Sequence, residues 1–296
     1  MKIDIVFSGG GVKAFAFIGA LESIQKKNYE FERVAGTSAG AILAAFLAAG
    51  YKTAEINSLL NKLDLHEFLD TPRLSKFLPG SKWFFLYFQM GIYRGDKFEK
   101  WIYHQLAKKG IYTFGDLKRG YLKVVVSDLT LGKLVILPDD LERVYGIDPS
   151  AFPIAKAVRM SAGFPYFFMP KKIIGNKNEK SIIVDGGLLS NFPIWVFEND
   201  TSRRIRPILG VKLSDSPEHT PPRKIKNALD MLHALFTTMK QAHDARYISK
   251  SQKDNIIFIP VKNVHTTNFM IEDEVKVKLM ESGRDEAAKF LKYWST

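Results

Sequence analysis

A serine flanked by glycines lies inside the segment Arg33–Gly50, RVAGTSAGAILAAFLAAG. A short apolar strand runs to Gly36, the chain turns through Thr37, Ser38 and Ala39, and Gly40 leads into an apolar run ending at Gly50. Strand, Gly-x-Ser-x-Gly and helix in that order push a serine hydroxyl out at the end of a sheet strand. Small residues at Gly36 and Gly40 let the strand and helix backbones come close behind it. The helix N-terminus also points N–H groups at the site, where they favour negative charge. These are the needs of a nucleophilic serine.

Such a serine requires a base. The usual one is a histidine held by a carboxylate, and His66, His104, His219, His233, His243 and His265 all follow Ser38. None stands in a Gly- or Asp-marked turn after a strand. His243 falls on the packing stripe of a predicted helix, four residues after Met239, and His219 lies in the polar stretch SPEHTPP, which reads as a loop. Asp185 is better placed. It follows the apolar strand SIIV and precedes Gly186 and Gly187, where a carboxylate can reach a serine hydroxyl directly. An aspartate before glycine is also an ordinary turn residue, so position alone leaves both roles open.

A further glycine turn, Gly9-Gly10-Gly11, follows the apolar run Ile3–Phe7. Gly9-x-Gly11-x-x-Ala14 fits the dinucleotide fingerprint, with Glu32 near the distance expected of a ribose-binding acid. The same turn offers the N–H groups of Gly10, Gly11 and Val12 to an oxyanion formed in acyl transfer. The serine turn decides between them, because a dinucleotide site has no use for an exposed serine on the next strand-to-helix turn. Lys13 adds positive charge in either case, unless it faces solvent as an ordinary first-turn lysine. In an α/β sheet the carboxyl ends of parallel strands face one crevice. Parallel strands would therefore bring the turns at Gly9, Ser38 and Asp185 together.

The elements that must position them follow from hydrophobic spacing. Strand Ile3–Phe7, helix Val12–Lys26, strand Phe31–Gly36 and the helix after Ser38 open the chain as βαβα, the start of a parallel-rich sheet with helices on its faces. Helices are predicted over Thr53–Leu69, Asp96–Lys108, Ile154–Met160, Arg223–Tyr247 and Glu272–Tyr293. The helix at Arg223–Tyr247 would pack through Leu229, Leu232, Phe236 and Met239. Tyr121–Val126 and Lys133–Leu137 form a hairpin around Ser127–Gly132, and Ile182–Val184, Ile208–Leu213 and Asn255–Val261 are further strands. The aromatic stretch Phe77–Phe88 suits either a cap over an apolar pocket or a core helix. No repeat or low-complexity linker divides the chain, so residues 1–296 are expected to form a single domain.

The formal charge is +12 over 296 residues. That balance favours anionic partners. No zinc-finger spacing or RNA-binding signature is present and the basic residues are scattered, so an anionic lipid surface is the expected partner and nucleic acid is not. The chain has no cysteine, which excludes disulfides, a thiol nucleophile and cysteine-type zinc sites. No acid–histidine cluster has metal-ligand spacing, and neither metal nor cofactor is expected. The N-terminus enters a strand at once, without a leader of signal length, and no apolar run reaches the length of a membrane span. The expectation is a cytoplasmic protein, peripheral at membranes.

The chain resembles the patatin-like phospholipases. Blocks matching that family occur in order: SGGGVKAFAFIGAL, GTSAG, Ser-Ala-Gly-Phe-Pro-x-x-Phe-x-Pro at Ser161–Pro170, and VDGGLLSNFP at Val184–Pro193. SDLTLGK at Ser127–Lys133 resembles a family hairpin, and the match covers about residues 3–200, leaving 201–296 to complete the fold. The resemblance implies a three-layer α/β/α sandwich with a mostly parallel sheet. It also implies hydrolysis of phospholipid or lysophospholipid esters by a Ser-Asp dyad without histidine. Ser38 is then the nucleophile, Asp185 the general base, and Gly9, Gly10, Gly11 and Val12 the oxyanion hole. Lys13, Gly36, Gly40, Gly186 and Gly187 support them. Family members usually carry Gly where Ala14 stands, a change that is silent if position 14 is already helical. A Ser-His-Asp esterase and a dinucleotide-binding oxidoreductase are the rival readings.

Overall fold

Lys2–Phe7 carries apolar side chains on both faces of an extended backbone, and this strand, β1, is buried from Ile3 onward. In the computed structural model, which describes residues 1–63, 65–71, 87–198, 206–214, 225–248, 253–261 and 272–294, it lies inside an eight-stranded sheet. On one side β1 pairs in parallel with β2 (Glu30–Thr37), which pairs in parallel with β4 (Leu122–Asp128). On the other side it pairs in parallel with β9 (Ile208–Ser214), and β9 with β10 (Ile256–Pro260). Near-continuous apolar runs such as IVF and VVV are what a parallel sheet buried on both faces requires. The remaining members, β5 (Lys133–Leu137), β7 (Lys171–Ile174) and β8 (Lys180–Asp185), are antiparallel to their neighbours. A small separate pair joins β3 (Gly91–Tyr93) to β6 (Tyr166–Phe168) in parallel.

The register around β4 matters most for the site. Val124 and Val125 pair with β5 and also with β2, so those partners occupy opposite edges. Val126, Ser127 and Asp128 pair with β5 and also with β8. Strands β2 and β8 therefore share one edge of β4 and run toward each other along it.

The sheet is flanked by helices. Ile3, Ile5 and Phe7 pack with α1 (Phe15–Gln25), α2 (Ala39–Ala48), α3 (Thr53–Asn61), α4 (Asp96–Ala107), α5 (Asp140–Tyr145), α6 (Ile154–Ser161) and α8 (Asp273–Tyr293) in the main core. The opposite face, with Val6, Ala35 and Val125, is closed by Phe192 and the short 3-10 turn Ile194–Phe197. Helix α7 (Ala228–Ile248) contacts the turn after β8. Helices α1 and α8 cross with their backbones nearly touching. A Cβ on Gly19 would lie 1.8 Å from the Met280 carbonyl oxygen, and one on Gly283 would lie 1.8 Å from that of Ala16. Arg284 secures the crossing on Glu22, its Nε and a terminal N–H donating at 2.9 and 2.7 Å.

Several boundaries differ from the sequence pattern. The predicted helix Val12–Lys26 divides into a 3-10 turn, Gly11–Ala14, and α1, because Gly11 starts the turn at φ 54°. The helix predicted to Leu69 stops at Asn61, and a 3-10 turn follows at Leu65–Phe68. On α7, Met239 is 48% exposed rather than packed. Among the side chains described on this helix, Ala234 and Asp244 are the buried ones. Asp244 is drawn inward because Oδ1 accepts the Phe192 N–H at 3.0 Å and Oδ2 accepts from Lys212 at 2.5 Å, which sets the rotation of the helix. The side chains of Leu229 and Leu232 lie outside the description. So does most of Phe77–Phe88; its described end, Tyr87 and Phe88, is exposed.

Candidate active site

Ser38 takes φ 55° and ψ −123° between the end of β2 and the start of α2. Such a conformation costs a non-glycine residue about 1–3 kcal/mol, and it persists only where its surroundings enforce it. Part of the enforcement is steric. A Cβ on Gly36 would lie 2.3 Å from the Gly40 carbonyl carbon, and one on Gly40 would lie 2.5 Å from the Ser8 carbonyl oxygen. Strand β1, strand β2 and helix α2 meet there with no room for a side chain. The rest is polar. The Ser38 N–H donates to Ser161 Oγ at 2.9 Å, and the Ser161 hydroxyl donates to the Val125 carbonyl at 2.6 Å.

The Ser38 hydroxyl donates to Asp185 Oδ2 at 2.7 Å. The second carboxylate oxygen, Oδ1, accepts the Gly187 N–H at 2.7 Å, and the Asp185 N–H donates to the Gly163 carbonyl at 3.0 Å. Asp185 is buried while Ser38 is partly open. Gly186 must be glycine because a Cβ there would lie 2.3 Å from the Val125 carbonyl oxygen. Convergence does not come from parallel strands alone, as the sequence pattern suggests. Strand β8 is antiparallel to β4, and Asp185 arrives because it ends opposite Val126 while Thr37 ends opposite Val125.

The glycine turn after β1 closes the third side. Gly9 donates its N–H to the Asn191 carbonyl at 2.8 Å, and Asn191 Nδ2 donates to the Gly9 carbonyl at 3.3 Å. A Cβ on Gly9 would lie 2.4 Å from Asn191 Oδ1 and 3.2 Å from Ser38 Cβ, so its backbone passes directly beside the serine. Gly10 is the cap of the 3-10 turn Gly11–Ala14. The first N–H groups of such a turn have no acceptor within it, and they suit an anion. Val12 and Lys13 are buried in the turn, so Lys13 is not a solvent-facing residue. Ala14 sits at φ −60° and ψ −16°, a conformation alanine adopts freely.

Other candidates fall elsewhere. Glu32 lies early in β2, in the strand portion that pairs with the start of β1, far from the Gly9 turn. It accepts from Lys118 and Lys2, and these bonds pull its carboxyl down to about 2. His66 and His104 are exposed, and the His104 ring bonds to the Lys100 carbonyl on its own helix. His219 and His265, and the side chains of His233 and His243, lie outside the described residues.

Several contacts around the candidate site carry no clear signal in the sequence. Asn191 and Ser161 stand inside the quoted blocks, but their bonds to the Gly9 loop and the Ser38 amide cannot be read from spacing. Arg159 is fully buried on α6. It donates from Nε to the Gly95 carbonyl at 3.1 Å, and from a terminal nitrogen to those of Arg94 at 2.9 Å and Met169 at 3.0 Å. It thereby ties the turn after β3 to the segment after β6. Burial lowers its pKa to about 10, which leaves it charged at neutral pH.

A family model described as patatin-like phospholipase matches residues 5–198. The chain is 48% identical over 297 residues to an uncharacterized protein, YqhO, of Bacillus subtilis (strain 168), with both chains covered in full. It is 22% identical over 300 residues to a cUMP-AMP-activated phospholipase of Escherichia coli, covering 95% of this chain and 86% of that one. Among solved structures, VipD from Legionella pneumophila shares the fold with a TM-score of 0.61 at 19% identity, over 99% of this chain and 67% of VipD.

Proposed function

The chain belongs to the patatin-like phospholipase family and is a lipid hydrolase, and from that premise we propose that it cleaves carboxylic esters of phospholipids or lysophospholipids through a Ser38–Asp185 dyad. The observation that carries this reading is the direct 2.7 Å bond from the Ser38 hydroxyl to Asp185 Oδ2. With Oδ1 held by Gly187, the carboxylate is aimed at the serine proton, and no space separates the two groups for an imidazole. That favours a dyad over a Ser-His-Asp triad. The remoteness of Glu32 from the glycine turn counts against a dinucleotide site.

In the proposed reaction Ser38 Oγ attacks the ester carbonyl as its proton passes to Asp185. The N–H groups of Gly10, Gly11 and Val12 hold the resulting oxyanion, with Lys13 adding positive charge nearby; Gly9, expected among these donors, is not one, because its N–H is engaged by the Asn191 carbonyl at 2.8 Å. Collapse expels the alcohol, which takes the proton from Asp185 and leaves an acyl-Ser38 ester. Water then attacks that ester, gives a proton to Asp185, and releases the fatty acid as the proton returns to Ser38. Gly36, Gly40, Gly186 and Gly187 act by letting the backbones approach. No metal or cofactor enters these steps. The formal charge of +12 favours peripheral contact with anionic membrane surfaces; in this reading the enzyme is cytoplasmic and residues 1–296 act as one domain.

A fluorophosphonate probe tests the dyad. Wild type is expected to take one covalent label at Ser38, Ser38→Ala none, and Asp185→Asn only a slow trace. Fatty-acid release from phosphatidylcholine, lysophosphatidylcholine and triacylglycerol vesicles then ranks the substrates. Absence of a Ser38-dependent adduct refutes the hydrolytic role of this serine. Hydrolysis confined to triacylglycerol refutes the phospholipid assignment alone.

A further inference from the structure

Ser161 is the last residue of α6 and is fully buried. Its hydroxyl has both capacities engaged. The proton goes to the Val125 carbonyl at 2.6 Å, and the oxygen accepts the Ser38 N–H at 2.9 Å. We propose that Ser161 is a positioning residue for hydrolysis, which holds the left-handed backbone of Ser38 in its reactive geometry through the Ser38 amide. The proposal rests on the dyad reading given above.

The argument runs from bond to geometry. Ser38 occupies a φ of 55° that an L-residue avoids. Rotation of the Thr37–Ser38 peptide would relieve that φ, and it would break the bond to Ser161. A hydroxyl committed to Val125 cannot turn its proton toward Ser38, so its lone pair stays aimed at the amide. Val125 is also the residue whose carbonyl oxygen lies against Gly186. One buried hydroxyl thereby refers the nucleophile turn to the β4 carbonyl on which the Asp185 turn is packed. Ser161 does not serve as a second nucleophile, since it is closed off from solvent and its proton is engaged.

Ser161→Ala and Ser161→Cys test this, with p-nitrophenyl butyrate turnover, fluorophosphonate labelling of Ser38 and thermal unfolding as readouts. Cysteine keeps the packing volume but is a weak hydrogen-bonding partner, so it separates positioning from filling and carries the test if the alanine variant does not fold. Both variants are expected to lower kcat roughly tenfold to a hundredfold with KM held within about twofold, since small misplacement of a reacting group acts on turnover. Labelling of Ser38 is expected to slow in proportion, and the cysteine variant is expected to stay folded and to melt only a few degrees below wild type. Ser161→Thr, which restores the hydroxyl, is expected to recover more turnover than cysteine. A folded cysteine variant with wild-type kcat and labelling overturns the positioning role while leaving the dyad intact. A wild-type protein that takes no label at Ser38 overturns the dyad, and the positioning role with it.

Discussion

Thr37 and Asp185 stand opposite consecutive residues, Val125 and Val126, along the same edge of β4. One ends a strand parallel to β4 and the other ends a strand antiparallel to it. The two strands thus meet end to end, with Ser38 one residue beyond the first. The spacing between the serine and the carboxylate is set by the register of a sheet, which is stiffer than any loop. The bond across 2.7 Å is the outcome.

Asp185→Asn has the shape of the native side chain and can still accept from Gly187 at Oδ1. It is expected to fold with a near-native melting temperature and to lose roughly 10²- to 10⁴-fold in kcat, the range for removal of a general base. Steady-state turnover of p-nitrophenyl butyrate beside a thermal melt checks both halves. Retention of most activity would remove Asp185 from the reaction.

The glycines of the first turn are not equivalent. Alanine at Gly9 drives its methyl into Asn191 and toward Ser38, whereas alanine at Gly10 meets only the tip of Leu213, at 2.2 Å, on an extended backbone. Gly9→Ala is expected to reduce kcat about a hundredfold, and Gly10→Ala markedly less. Asn191→Ala is expected to slow turnover as well, because the Gly9 carbonyl loses its side-chain donor. Turnover of the three variants side by side is the measurement, and equal loss at Gly9 and Gly10 would contradict the geometry.

The helix crossing gives a stability test remote from the chemistry. Alanine at Gly19 or Gly283 would place a methyl 1.8 Å from a carbonyl oxygen of the other helix. Backbone cannot swing aside as a side chain does, so each change is expected to cost about 3 kcal/mol, the upper end for overpacking. Urea denaturation measures it, and a shift within the scatter of surface substitutions would refute the close crossing.

Glu32 gives a pH dependence of defined sign. Its bonds to Lys118 and Lys2 lower the carboxyl from 4.5 to about 2. A depressed acid stabilises the fold at pH above its unfolded value, and that contribution disappears as pH falls through the folded value. The melting-temperature difference between wild type and Glu32→Gln is therefore expected to be largest above pH 4.5, to shrink toward pH 2, and to narrow in high salt. A difference that grows with acid would reverse the assignment.

The strand-to-helix turn at Ser38 is legible in the sequence because the apolar flanks on either side of Gly36-x-Ser38-x-Gly40 declare strand and helix, where the spacing by itself is only moderately specific. Asp185 is legible as a turn residue after an apolar strand, but its position alone does not separate a base from an ordinary aspartate before glycine. The direction of β8 is not legible, because a two-residue periodicity reads alike in either sense and only the β4 register decides it. Ser161 and Asn191 were visible as residues but not as partners. Their roles depend on contacts 123 and 182 positions away in sequence. The rotation of α7 departs from the apolar periodicity because Asp244, a polar residue, occupies a buried position that periodicity reserves for apolar ones.

The closure of the Gly9 turn has a consequence in time. Ser8 donates its N–H to the Val211 carbonyl and accepts the Leu213 N–H at its hydroxyl, while Gly9 is held by Asn191. Helix α1, which continues from the turn, is seated on Met280–Arg284. During synthesis Ser38 leaves the ribosome well before any of these partners exists. The Gly9 turn therefore reaches its folded form only after Asn191, Val211, Leu213 and Met280–Arg284 have been synthesised. Contacts so distant in sequence also make folding slow relative to a chain of local contacts.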